Sequence, residues 1–209
     1  MKKNFSYPLF ITALFLIQTI SSWAGGVYLW EAGTPDAGYA AAGRAAIATD
    51  ASTAFGNPAG MMRLDRSELL IGAMPIVVDL RFESGPSSTN TGGNGGQAGG
   101  VLPGVGSYYV HHPSEDWRFG ISIMSYSGSA FEYEPDWVGR YFTKELSLVT
   151  VNVIPTVAYR VSDHFSVGGG PIIQFARMKG NIGINGILDV VPDGNLELED
   201  KGSFGFGGI

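Results

Sequence analysis

From residue 69 onward, apolar and polar positions alternate with a period of two, as in strands whose two faces meet different surroundings. Ile76, Val78, Leu80 and Phe82 alternate with Val77, Asp79, Arg81 and Glu83, which predicts a first strand there. A weaker alternation near residues 101–111 predicts a second. Across 116–126, Trp117, Phe119, Ile121 and Ile123 share one face while Arg118, Gly120, Ser122 and Tyr126 share the other. Val149, Val151, Val153, Val157 and Tyr159 then alternate with Thr150, Asn152, Thr156 and Arg160. Residues 165–178 repeat the pattern less cleanly, with Phe165, Val167, Ile173 and Phe175 against Ser166, Gly168, Gly170 and Gln174.

Alternation suits a soluble sandwich as well as a membrane barrel, so other features must decide. The predicted strands reach about ten residues, enough for a tilted strand to cross a bilayer. Trp117, Tyr159 and Phe165 stand near strand ends, where an interfacial aromatic girdle sits. Connections alternate in length: 84–100, 127–145 and the stretch after Met178 are long, whereas 112–115 and 162–164 are short. Long external loops and short periplasmic turns are the pattern of outer-membrane barrels.

The start of the chain agrees. Lys2 and Lys3, an apolar run over 9–20 and the small-x-small site Ser22-Trp23-Ala24 form a cleavable export signal over 1–24. That run is about a dozen residues, short of the roughly 20 that a spanning helix needs. Only 15% of the 209 residues are charged and 31 are glycine. Soluble domains carry about 25% charge, so the composition fits a sheet with one face in lipid. The formal charge is −6, or −8 once Lys2 and Lys3 leave with the signal. An acidic chain without a basic stripe is not built for nucleic acid. There is no cysteine, which excludes disulfides, thiolate catalysis and Cys-based metal sites.

Enzymatic chemistry finds no footing either. His111, His112 and His164 fall in short turns, away from any serine on a lumen-facing strand, so no nucleophile–base pair is predicted. His111-His112 lacks an evident third metal ligand, and no cofactor is implied. The glycine-rich run 91–100 has no strand–loop–helix context that would make it a phosphate loop.

Between the signal and the strands lies the small-residue-rich stretch 38–60, too poor in large apolar side chains to build its own core. Gly43-Arg44-Ala45, Ala48-x-Asp50-Ala51-Ser52 and above all Asn57-Pro58-Ala59 resemble the N-terminal hatch of the FadL/TodX family of outer-membrane transporters for hydrophobic compounds. The loop 133–141, Tyr-Glu-Pro-Asp-Trp-Val-Gly-Arg-Tyr, is also similar to a segment common in that family. The resemblance spans most of the mature chain and about half of a typical member. It implies a 14-stranded antiparallel barrel in the outer membrane of a Gram-negative bacterium, monomeric when complete, with a partly helical hatch in the lumen. Substrate would leave sideways through a gap beside a kinked third strand. Here that strand is 116–126, with Gly120 and the region 125–129 as sources of irregularity.

The organisation expected is a signal over 1–24, a hatch over 25–66 and barrel strands over 67–209. Residues 204–209 read as the opening of another strand, and an open sheet leaves backbone groups unpaired in lipid, so the expectation is the N-terminal part of a longer barrel. The partners expected are fatty acids or hydrocarbons and the surrounding membrane lipid. The runner-up roles are a channel for small aromatic hydrocarbons and a barrel for structure or adhesion.

Candidate site residues follow. Asn57, Pro58 and Ala59 read either as an ordinary helix-ending turn before Gly60 or as a latch whose asparagine amide bonds to the barrel wall. Gly43, Arg44 and Asp50 belong to the hatch. Arg44 and Asp50 lie in a helix-like stretch and read as solvated charges, with Asp79 or Glu83 as alternative partners for Arg44. Phe131, Tyr133, Trp137 and Tyr141, with Arg140 and Lys144, form a candidate substrate-docking loop: aromatics offer apolar area and a cation can hold a carboxylate head. The same loop also reads as one packed on itself or lying at the lipid headgroups.

Overall fold

A computed structural model describes residues 29–86, 88, 90–186 and 192–209. The export signal lies outside the described residues. Eight strands make one antiparallel sheet: β1 Glu68–Val77, β2 Val101–His111, β3 Trp117–Met124, β4 Gly128–Glu132, β5 Glu145–Ser162, β6 Phe165–Gly169, β7 Pro171–Ile184 and β8 Gly194–Gly208. The order is β1-β2-β3-β5-β7-β8, with β4 and β6 both pairing with β5. No helix among the described residues is long and apolar enough to cross a membrane. The strands are those of an antiparallel transmembrane barrel.

Alternation sorts their side chains as the sequence pattern requires. On β3, Trp117, Phe119, Ile121 and Ile123 are exposed on the outer face while Arg118, Gly120, Ser122 and Met124 are buried inside. On β5, Val149, Val151, Val157 and Tyr159 are exposed, and Thr150, Asn152, Ile154, Thr156 and Ala158 are buried. A sheet with its aliphatic face bare and its mixed face covered is inverted relative to a soluble protein, and only lipid makes that favourable. Trp117 packs on Tyr159 with ring centroids 4.7 Å apart at the short-turn end, where a girdle belongs. β5 has 18 residues, well beyond the roughly 9–11 needed to cross, so its long-loop end projects past the bilayer.

Several strand boundaries differ from the sequence reading, and residues 204–208 are the end of β8 rather than the opening of a further strand. The first strand is 68–77, not 76–83. Its ladder with β2 runs from Glu68↔Val110 to Val77↔Val101 and then stops. Beyond that point the pairing is irregular: backbone bonds still join Val78 to Gly100 and Ala98 to Leu80, and the Gln97 side chain adds to them, accepting from the Leu80 amide at 2.8 Å and donating to the Val78 carbonyl at 3.0 Å. The third strand is interrupted: β3 ends at Met124, and the same direction resumes as β4 inside what reads as a loop. Gly120 plays no part in that break, being paired on both sides with Val110 and Thr156. The segment 165–178 is also broken, at Gly170. The Pro155 carbonyl presses against Gly170, and Pro171, which follows it, has no N–H for the ladder.

Residues 29–66 cover the inner face of the sheet. They contain a 3₁₀ turn Pro35–Tyr39, a one-turn helix α1 Thr53–Gly56 and a second 3₁₀ turn Pro58–Arg63. The helix-like reading of the alanine-rich stretch fails at Ala40 and Ala41, which sit at φ 53° and 61° and turn the chain instead. The shared core joins Ala51, Ala54, Phe55, Met61 and Leu64 of this segment to Tyr108, Val110, Met124, Ile154 and Ala158 of the wall. Gly168 of β6 makes this approach possible: a Cβ there would lie 2.5 Å from the Ala59 nitrogen.

Candidate functional site

Both halves of the broken third strand pair with β5, through Met124↔Asn152 and Gly128↔Val149. Between them Ser125, Tyr126 and Ser127 leave the ladder. The Thr150 hydroxyl fills in, donating to the Ser127 carbonyl and lying 3.2 Å and 3.0 Å from the Ser125 and Ser127 hydroxyls. On the other side, β2 pairs with β3 only from Gly106 to His111. Residues 101–105 therefore face the break without a partner strand on that side, and Pro103 among them has no amide hydrogen to leave unpaired.

A cavity of about 370 Å³ occupies the gap. Its walls include neighbours of opposite parity, buried Met124 and Thr150 together with outward-facing Ile123, Val149 and Val151. The cavity is thus lined by side chains from both faces of the sheet at its break. The inner segment closes its lumenal side: the Leu29 amide donates to the Tyr126 carbonyl at 2.6 Å, and Phe55 stacks on the Tyr126 ring at 5.9 Å. Glu31 also lines the cavity.

The predicted hatch residues lie in two places. Arg44 is no solvated charge and does not reach Asp79 or Glu83. Its Nε donates to Asp36 Oδ2 at 2.6 Å, and its Nη2 to Asp36 Oδ1 at 3.0 Å and the Trp30 carbonyl at 3.1 Å. Burial works against the Asp36 carboxylate, but hydrogen bonds from Arg44 and Thr34 and the Arg44 charge outweigh it and hold the carboxyl below its ordinary range. The turn at Ala40 and Ala41, followed by Gly43 at φ 85°, folds Arg44 back onto Asp36. Asp79 instead pairs with Arg81 at the surface. Asp50 accepts from the Ser52 amide at 2.8 Å and fixes the turn into α1.

Asn57 does not bond to the wall. Its Nδ2 donates to the Ala45 carbonyl at 2.7 Å, within the inner segment. The wall contact comes one step later, where the Ser166 hydroxyl donates to the Ala59 carbonyl at 3.1 Å. A residue the hatch pattern did not single out fastens the end of the segment. Arg118 of β3, 1% exposed, donates to the Leu64 carbonyl from Nε at 3.2 Å and Nη2 at 3.0 Å, and to the Ser114 and Trp117 carbonyls from Nη1. The sequence signal was its position, a cation in the lumen-facing register of a strand.

At the long-loop end, Tyr133 and Trp137 stack with centroids 3.8 Å apart, Phe131 meets Tyr133 edge-on at 5.8 Å, and the Trp137 Nε1 donates to the Thr143 carbonyl at 2.9 Å. Arg140 ties three loops together. It donates to Asp193 at 3.1 Å, to the Thr91 carbonyl at 2.6 Å and to the Tyr141 hydroxyl at 2.7 Å. Tyr141 in turn donates to Asp193 at 2.6 Å. Bonds from Tyr141, the Gly186 amide and Arg140 lower the Asp193 carboxyl to about 2. Lys144 donates to Asn195 at 2.8 Å. Arg140 and Lys144 both line a second, polar cavity of about 480 Å³ with Asp136 and Asp193.

Comparison with known proteins agrees with this architecture. A family model described as outer membrane protein transport protein (OMPP1/FadL/TodX) matches residues 15–200. A long-chain fatty acid transport protein of Escherichia coli K12 is 29% identical over 181 residues, covering 85% of this chain and 40% of that protein. Outer membrane protein P1 of Haemophilus influenzae is 27% identical over 213 residues, covering 93% and 45%. The crystal structure of a Pseudomonas aeruginosa FadL homologue aligns with a TM-score of 0.57 and 22% identity, over 78% of this chain and 44% of that one, and shares its fold. The chain thus spans less than half the length of these relatives.

Proposed function

The chain belongs to the OMPP1/FadL/TodX family of outer membrane transport proteins, and on that premise we propose that it serves passive entry of hydrophobic compounds, long-chain fatty acids first among them. The observation that carries this reading is the cavity in the wall at the break between β3 and β4. A barrel that only adheres or supports has no use for a break in its own sheet, because each unpaired backbone group in lipid costs several kcal/mol, on the order of 2–7. The apolar lining of that cavity suits a hydrocarbon body, whose burial is worth about 0.8 kcal/mol per methylene.

In this reading residues 25–66 are a plug, with Asn57-Pro58-Ala59 shaping its end. The polar cavity at Arg140 and Lys144 receives the head group first, and the aromatic loop around Phe131, Tyr133, Trp137 and Tyr141 frames it. The substrate then passes the plug and leaves sideways beside Tyr126. A relative named for long-chain fatty acid transport is compatible with this class of cargo. No covalent step or cofactor is involved. The second reading, small aromatic hydrocarbons, draws on the lack of any cation among the described residues lining the wall cavity.

Uptake of radiolabelled oleate, with toluene in parallel, by cells lacking their own transporter tests this. Saturable oleate entry is the expected result. Toluene entry without oleate would replace fatty acids by hydrocarbons, and entry of neither, with normal membrane insertion, would sink the transport reading.

A further inference from the structure

The wall cavity has an electrostatic character that the family reading does not assign. Its lining comes from the N-terminal arm and from β1, β2, β3, β4 and β5, and among the described residues Glu31 is its only titratable or charged side chain. The remaining lining is aliphatic apart from the hydroxyls of Ser125, Ser129 and Thr150, and two of those hydroxyls already bond to each other across the break. Glu31 Oε2 is buried and accepts no hydrogen bond among the described residues. The arm that carries it is held in place on both sides, by the Leu29 amide on the Tyr126 carbonyl and by the Tyr108 hydroxyl on the Ala32 carbonyl at 2.8 Å. Gly104 of β2 lets the backbone of Glu31 press against the wall, since a Cβ there would lie 2.6 Å from the Glu31 carbonyl.

A buried acceptor without a donor favours a ligand that brings one. An ionised carboxylate brings none and adds a like charge, with no cation in the lining to offset it. We infer that Glu31 makes the wall cavity selective for head groups that are uncharged and donate a hydrogen bond, the ligand class being a single-chain amphiphile with a hydroxyl head. The volume of about 370 Å³ sits at the small end of the roughly 300–1,000 Å³ typical of small-molecule sites, suiting one chain rather than a phospholipid. A fatty acid meets the requirement as its protonated acid. The cations that greet a carboxylate, Arg140 and Lys144, line the other cavity. The inference rests on the proposed lateral route.

The test compares initial uptake of radiolabelled dodecanol and dodecanoate at pH 8, where dodecanoate is ionised. Cells expressing the intact protein, its Glu31→Gln variant or its Glu31→Lys variant are compared after subtraction of a vector control, with surface labelling to confirm insertion. A like charge a few ångströms away, at an effective dielectric between protein and water, disfavours an anion by about tenfold. Dodecanol should therefore enter about tenfold faster than dodecanoate through the native protein. Glu31→Gln should raise dodecanoate entry by about that factor, and Glu31→Lys should favour dodecanoate further. Equal entry of both probes, unchanged by either substitution in inserted protein, overturns the filter alone. Failure of both probes to enter through any of the three proteins overturns the transport reading and the filter with it.

Discussion

Replacing Arg118 by methionine asks how the end of the inner segment is held to the wall. The guanidinium is buried, and two of its four hydrogen bonds go to one carbonyl, that of Leu64, where the inner segment gives way to β1. The other two go to Ser114 and Trp117 of the wall itself. Methionine keeps much of the stem volume and removes every donor. Each buried carbonyl left unpaired costs about 1–3 kcal/mol, and removing a buried cation returns part of that. With the Leu64 carbonyl losing both its bonds, a net loss of about 2 kcal/mol follows, which raises local opening of the segment about 30-fold. Hydrogen exchange with mass-spectrometric readout on peptides covering 58–66 measures it directly. The Gly60 and Leu64 amides, bonded to the Asn57 and Met61 carbonyls, should exchange faster while β5 stays protected. Arg118→Lys should recover only part of the protection, because a point charge does not reproduce the fork. Unchanged exchange at 58–66 in Arg118→Met would show that the segment is held by packing alone.

Other perturbations address the remaining contacts. A methyl at Gly168 would lie 2.5 Å from the Ala59 nitrogen and 2.7 Å from the Pro58 carbonyl carbon, so Gly168→Ala should loosen the segment and raise dye leakage, whereas Gly100→Ala, with open space around it, should not. Asn57→Ala with Pro58→Ala removes the bond to Ala45 and the preset turn, at about 1 kcal/mol for the hydrogen bond, and should also raise leakage; unaltered permeability and uptake would count against a latch. For the loops, the Asp193 carboxyl is lowered to about 2 from 3.8. Its contribution is therefore full above the unfolded value and is lost as pH falls through the folded one. Limited pepsin digestion from pH 5 to pH 2 should leave the loops protected until below pH 4, and Asp193→Asn should expose the Arg140 loop across the range.

Much of this was legible in the alternation. β2 falls at 101–111 as predicted, and the two faces of β3 and β5 separate as the sequence pattern has them. What alternation does not contain is where a ladder stops. The sequence stays apolar through 69–78 and alternates on to Glu83, with nothing in it to mark that the regular ladder of β1 ends at Val77, opposite the glycine-rich partner stretch. The breaks at 125–127 and Gly170 depend on groups from β5, the Thr150 hydroxyl in one case and the Pro155 carbonyl in the other. Arg44 reaches Asp36 because two alanines adopt left-handed φ values that no propensity assigns them. Arg140 meets Asp193 across loops far apart in the chain, a pairing fixed by the sheet order and invisible to local pattern.

The contacts between the inner segment and the wall suggest why such a chain is rich in small residues. Ala54 and Met61 approach Gly120, and Pro58 and Ala59 approach Gly168, so bare backbone in the wall meets small side chains or backbone in the segment. At these glycines the surfaces fit closely but bury little hydrocarbon, so adhesion by area comes mainly from Phe55, Met61 and Leu64 of the shared core. Position then falls to a few directed bonds: Arg118 to Leu64, Ser166 to Ala59, Tyr108 to Ala32 and Leu29 to Tyr126. Beside that core, the four or so hydrogen bonds, each worth about 0.5–1.5 kcal/mol or up to about 3 for the charged one, set the segment's position on the wall. Tyr126 is where competition from a ligand would act first, because its carbonyl and ring hold the segment at the edge of the wall cavity.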